Sequence, residues 1–203
     1  MKTKSLGLIV AVVMVCAGPM AMAQVLDLQT GRTADLPNEP PVSVEAGTVI
    51  GDVDYNGLRA NFKVADKLLL MAGFGSANVD EHNLAVGADA MYQIGDDPSL
   101  PVALKFGVAF LPDAESDVTE LSLVAIISGA ITEKFSWYAS GGVIWVDLEN
   151  SESGEGEDDF APTIGAGLQR VFSGTLELYA GIDAMFGDFY DDVVAGAGLR
   201  MNL

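Results

Sequence analysis

Chemistry near neutral pH calls first on histidine, and this chain has one, His82, directly after Asp80 and Glu81. A histidine beside carboxylates is a pairing that general acid–base catalysis uses. Here no second histidine and no nucleophile accompanies it, so no catalytic residue is assigned. The acidic stretch 149–159 is the next candidate. It offers Glu152, Glu155, Glu157, Asp158 and Asp159 as oxygen ligands for Ca²⁺ or Mg²⁺. Their spacing does not match an EF-hand, and a solvated loop is the default reading. The glycines alternate with apolar residues instead of forming a phosphate-binding loop, so no cofactor is expected.

Nine further charges stand in a regular setting. Glu45, Arg59, Lys63, Asp89, Lys105, Glu120, Glu177, Asp183 and Arg200 each sit on the polar side of a segment that alternates apolar and polar residues. Period-two alternation is the signature of a strand with two different faces. About ten such segments follow one another: 42–50, 55–64, 68–77, 83–94, 102–111, 118–131, 135–148, 160–172, 176–186 and 193–203. The cleanest is 55–64, where Leu58, Ala60, Phe62 and Val64 oppose Gly57, Arg59, Asn61 and Lys63. The least regular is 118–131, where Val124 and Ile126 share a face with Glu120 and Ser122.

Trp137 and Trp145 share the apolar face of the seventh segment. At ~3.3 Å per residue and a tilt of ~40° they stand roughly 20 Å apart along a membrane normal, the spacing of two interfacial aromatic rings.

Residues 1–23 read as a secretory signal. Lys2 and Lys4 precede an apolar stretch, and Ala21-Met22-Ala23 offers a cleavage site before Gln24. A lipoprotein would use Cys16, but Val15 before it is too large for that processing. Cys16 is the only cysteine, so the mature chain forms no internal disulfide. Residues 24–41, with Pro37, Pro40 and Pro41, read as a flexible periplasmic lead-in.

The chain is 50% hydrophobic, yet beyond the signal no apolar run is long enough for a membrane-spanning helix. Formal charge is −19, and it becomes −21 once the two leader lysines are removed. That balance excludes nucleic acid as a partner. A soluble lipocalin-like barrel would need its apolar face inside, whereas the polar face here carries the nine charges.

Connections alternate between short turns and longer acidic loops, as in barrels whose short turns lie in the periplasm. The strand count is even, and both termini fall on the periplasmic side. The Gly-rich strands 136–143 and 162–168 and the closing strand 196–203 resemble the small outer-membrane β-barrel proteins of Gram-negative bacteria, the OmpA-type superfamily. The family usually ends in an aromatic residue, where this chain has Leu203. Its common members have eight strands, which makes eight the alternative to ten.

The resemblance implies an all-β, up-and-down antiparallel transmembrane barrel over 42–203, monomeric and in the outer membrane. Its expected partners are outer-membrane lipid, the barrel-assembly machinery and divalent cations at the acidic loops. In so narrow a barrel, inward side chains fill the space and charges must pair. The expectation is a non-enzymatic envelope or surface-interaction protein with a salt-bridged lumen. A narrow channel for ions or small solutes is the alternative, and a rim-active hydrolase using His82 comes third.

Overall fold

The computed structural model describes residues 33–51, 54–77, 83–95, 97, 99–111, 116–150, 156–187 and 191–203. Ten strands form one closed antiparallel barrel in which each strand pairs with its sequence neighbours and the first pairs with the last. They are β1 Val42–Ile50, β2 Tyr55–Ala65, β3 Leu68–Ala77, β4 Asn83–Gln93, β5 Val102–Leu111, β6 Ser116–Thr132, β7 Phe135–Asn150, β8 Gly156–Ser173, β9 Leu176–Phe186 and β10 Asp191–Asn202. Ten strands replace the eight-stranded alternative. Closure removes every edge that an open sheet would expose to pairing with another chain.

The two faces sort as the alternation predicts. Leu58, Phe62, Leu70, Phe74, Leu104, Phe106, Ile164 and Ile182 are exposed on the outside of the barrel. An apolar band of this kind needs lipid or a partner to cover it. Trp137 and Trp145 are half-buried on the same outer face of β7. Trp137 lies across Gly129, and the Trp145 indole N–H donates to Asp158 Oδ2 at 3.3 Å.

Strands β6 to β8 are the longest and carry the sheet past its neighbours at the loop end. Glu157, Asp158 and Asp159, read from sequence as part of a loop, therefore belong to β8 and pair with Leu148, Asp147 and Val146 of β7. At the opposite end the chain turns tightly. In the β4–β5 connection, Ser99 donates to Asp97 Oδ1 from its backbone N–H at 2.8 Å and its hydroxyl at 2.6 Å. Those two bonds hold the Asp97 carboxyl below its ordinary range.

The segment before β1 departs from the flexible lead-in expected for 24–41. From Thr33 onward it lies inside the barrel, with a single 3₁₀ turn at Leu36–Asn38. Ala34 and Leu36 are fully buried among Leu69, Met71, Met91, Val124 and Ile126. The Ala34 N–H donates to Ser128 Oγ at 2.9 Å and the Leu36 N–H to Gln93 Oε1 at 3.0 Å. The reason is local. A 3₁₀ turn with a proline leaves backbone donors unpaired, and the inner wall supplies their acceptors. The signal sequence and residues 24–32 of that lead-in fall outside the described residues.

Candidate functional site in the barrel lumen

Register builds the first part of the site. Glu45 of β1 stands directly opposite Arg59 of β2 on one side and Arg200 of β10 on the other. Arg200 in turn stands opposite Glu177 of β9. Directly opposite side chains on one face are within reach of each other, so alternating signs form an ionic ladder across four adjacent strands. Arg59 Nη2 and Nε both donate to Glu45 Oε2, at 2.7 and 3.0 Å. Arg200 Nε donates to Glu45 Oε1 at 2.7 Å and its Nη1 to Glu177 Oε2 at 3.0 Å. Arg200 is 1% exposed and Glu45 1%. Charges taken this far from water persist only when paired and hydrogen-bonded.

Glu39, which sequence reasoning left out, joins the same ladder from the N-terminal segment. Both of its carboxylate oxygens accept from Arg200 Nη1, at 3.2 and 3.4 Å. Gln169 and Asn202 complete the shell by donating to Glu177 at 2.6 and 2.9 Å. The available signal for Glu39 was indirect. Val124 and Ile126 break the alternation of β6 by facing inward, and with Leu69, Met71 and Met91 they make an apolar patch in the lumen that a further segment can cover. Leu36, three residues before Glu39, covers it.

The second part lies further along the lumen. Asp89 Oδ1 is 3.5 Å from Lys105 Nζ, and its Oδ2 is 3.8 Å from Arg59 Nη1. Lys105 also interacts with Glu120 and Asp183. The Ser140 hydroxyl donates to Asp183 Oδ1 at 3.5 Å, while Asp183 Oδ2 is buried and receives no hydrogen bond among the described residues. Glu45, Arg59, Lys105, Glu120, Glu177, Asp183 and Arg200 are buried, and Lys63 and Asp89 are half-buried. Lys63 stands apart near the rim, 3.9 Å from Asp66 and donating to the Glu39 carbonyl at 3.5 Å.

Strand glycines shape what remains of the space. Tyr55 lies across the opposed pair Gly57 and Gly75, Tyr138 across Gly167 and Gly181, and Tyr179 across Gly47 and Gly198. A Cβ on Gly47 would come within 2.7 Å of the Tyr179 hydroxyl. Each ring needs a wall without side chains, and the glycines provide it. Beyond the ladder, apolar side chains fill the loop end of the lumen. Val49, Tyr55, Leu111 and Val194 form one cluster there, and Ile144, Val146, Ala161 and Met185 another.

Of the candidate metal ligands, the structure describes Glu157, Asp158 and Asp159. Among the described residues no three acidic or histidine side chains come together as a metal site. Strand alternation places Asp158 on the outer face beside Trp145, and Glu157 and Asp159 on the other face. Glu152, Glu155 and His82 lie outside the described residues.

No protein-family model matches the chain, and no curated protein matches it. Solved structures do. The NanC porin aligns over 80% of this chain and 100% of its own, with a TM-score of 0.54 at 9% identity. The chain has the fold of an outer-membrane barrel. The N-terminal β-barrel domain of OprF from Pseudomonas aeruginosa aligns over 81% of this chain and 98% of its own, with a TM-score of 0.44 at 20% identity. Neisserial surface protein A aligns over 80% and 96%, with a TM-score of 0.41 at 13% identity. At these identities the likeness is one of fold.

Proposed function

We propose that this protein is a monomeric outer-membrane barrel with a closed lumen, non-enzymatic, that presents acidic connections at the cell surface and keeps both termini in the periplasm. The observation that carries the reading is the filled lumen. The chain's own segment from Thr33 packs into the short-turn end, held by Ser128, Gln93 and Arg200. The ionic ladder stands beside it, and apolar side chains close the far end. A conducting pore needs a continuous polar path, and apolar constrictions oppose ion passage.

The apolar outer band makes lipid the natural partner, and an exported chain of this architecture would reach it through the barrel-assembly machinery. The acidic rim would gather divalent cations loosely from solution. A narrow channel remains the competing function, and bilayer recording separates the two. The intact chain refolded into planar bilayers is expected to give no single-channel steps, and regular steps would overturn the closed-lumen reading. A rim-active hydrolase would lose its lipid- or peptide-cleaving activity on His82→Ala. The expectation is that the intact chain has no such activity to lose.

A further inference from the structure

Charge on the outside of the barrel is sorted by end. Asp147 and Asp158 stand opposite each other on the outer face near the loops. Five lysine or arginine residues lie within strands. Arg59, Lys105 and Arg200 are buried in the lumen, and Lys63 shares the parity of Arg59 on β2. Arg170 of β8 departs from these four. It is exposed between Leu168 and Phe172 on the outer face, close to the β8–β9 turn.

The neighbouring strand sets its depth. Phe135 stands opposite Arg170, and Trp137 stands opposite Leu168. Arg170 therefore lies one outward row beyond Trp137 toward the short turns, roughly 5 Å along the barrel axis at ~3.3 Å per residue and a tilt of ~40°. Interfacial tryptophans sit at the level of the lipid headgroups, so that row reaches the phosphates. The Arg170 guanidinium lies over the Phe172 ring, 4.9 Å from its centroid. Such stacking holds the planar group by its face and leaves its in-plane N–H donors for a bidentate oxygen acceptor. Lys134, whose carbonyl accepts the Val171 N–H at 2.9 Å, adds an exposed cation on the adjoining turn, and Glu133 beside it adds an exposed acid. Arg170 itself makes no ion pair among the described residues.

We propose that Arg170, held over Phe172 and flanked by Phe135 and Trp137, binds the headgroup phosphate of an anionic phospholipid in the leaflet at the short-turn end. An arginine on the lipid face is costly at mid-bilayer, but that cost fades at the interface, where a phosphate supplies the counter-charge. The anionic class follows from charge. A zwitterionic headgroup brings its own ammonium to its phosphate and gains less from Arg170 and Lys134. The inference rests on the reading of the outer band as covered by lipid, and it names the lipid at one end of that band.

Bromine on a lipid's acyl chains quenches a tryptophan that the lipid touches. Quenching in bilayers mixing brominated phosphatidylglycerol with phosphatidylcholine, and the reverse, gives the relative affinity of the two lipids beside that tryptophan. The chain has two tryptophans, so Trp145→Phe leaves Trp137 as the reporter and Trp137→Phe leaves Trp145. Beside Trp137, phosphatidylglycerol is expected to be favoured roughly fivefold at low salt, the effect of about one interfacial cation. Beside Trp145, at the acidic end, no such preference is expected. Adding Arg170→Gln should bring the Trp137 site to parity. Equal affinities beside Trp137, a preference that survives Arg170→Gln, or the same preference beside Trp145 would overturn the proposal. Insertion into the bilayer is read separately, from gel mobility before and after boiling. A chain that inserts but shows equal affinities defeats this proposal alone, whereas one that enters no bilayer defeats the lipid-covered reading with it. Should Arg170→Gln not fold, salt decides: the preference beside Trp137 must fall in high salt, and one that salt leaves unchanged would refute the proposal.

Discussion

The two ends of the lumen are filled in different ways. At the short-turn end, a separate segment of chain enters and is fixed by hydrogen bonds, apolar contacts and an ion pair. At the loop end, the strands fill the space with their own side chains, Val49, Leu111, Ile144, Val146 and Met185 among them. Charge follows the same division. Every lysine and arginine after Arg32 lies at mid-barrel or toward the short turns: Arg59, Lys63, Lys67, Lys105, Lys134, Arg170 and Arg200. The connections at the other end contain acids and no lysine or arginine. One end is thus a cross-linked plug that joins β1, β9, β10 and the N-terminal segment through Arg200. The other is apolar packing under an acidic rim.

If the ladder is what locks the short-turn end, cutting it should have the largest effect in the molecule. Arg200→Met leaves Glu39, Glu45 and Glu177 without their shared partner at the seam between β1 and β10. Breaking a buried ionic group by removing one member costs about 3–5 kcal/mol. Urea unfolding of the refolded barrel, followed by tryptophan fluorescence and by gel mobility before and after boiling, measures it. A loss below about 1 kcal/mol would mean that the ladder is incidental to closure.

The N-terminal segment tests the same end by packing alone. Leu36 is fully buried, and Leu36→Ala opens a cavity among Leu69, Met91, Val124 and Ile126. The expected cost is about 2–4 kcal/mol in the same unfolding measurement. An unchanged midpoint would mean that the segment rests in the lumen without stabilising it.

How far each end was legible from sequence follows from the range of its contacts. The strand positions were readable because alternation is local: each inward charge is marked by its immediate neighbours, as Arg59 is by Leu58 and Ala60. The faces of β2 follow that parity, with Arg59 and Asn61 buried and Leu58 and Phe62 exposed. The plug was not readable, because Glu39 meets Arg200 across almost the whole chain and nothing near Glu39 signals it. Its proline-rich surroundings have the composition of a linker. The tops of β7 and β8 were missed for a different reason. Glu157, Asp158 and Asp159 have poor strand propensity, but pairing with Val146, Asp147 and Leu148 overrides it. The tyrosine–glycine sockets were half readable: the glycines alternate visibly, while the rings that cover them come from other positions.

The rim offers the smallest effect, and it has the opposite sign. Asp147 and Asp158 stand directly opposite on the outer face of the β7–β8 hairpin. Like charges in that position repel by a few tenths of a kcal/mol, and solvent screens them. Asp147→Asn removes the repulsion and keeps the bond from the Trp145 indole to Asp158. The unfolding midpoint should therefore rise slightly at low salt, and the gain should vanish in high salt, where the Arg200→Met loss, arising from buried groups, persists. A loss of stability on Asp147→Asn would mean that the rim acids are held by bound cations. The two ends would then differ in which cations they use, protein side chains at one and solution ions at the other.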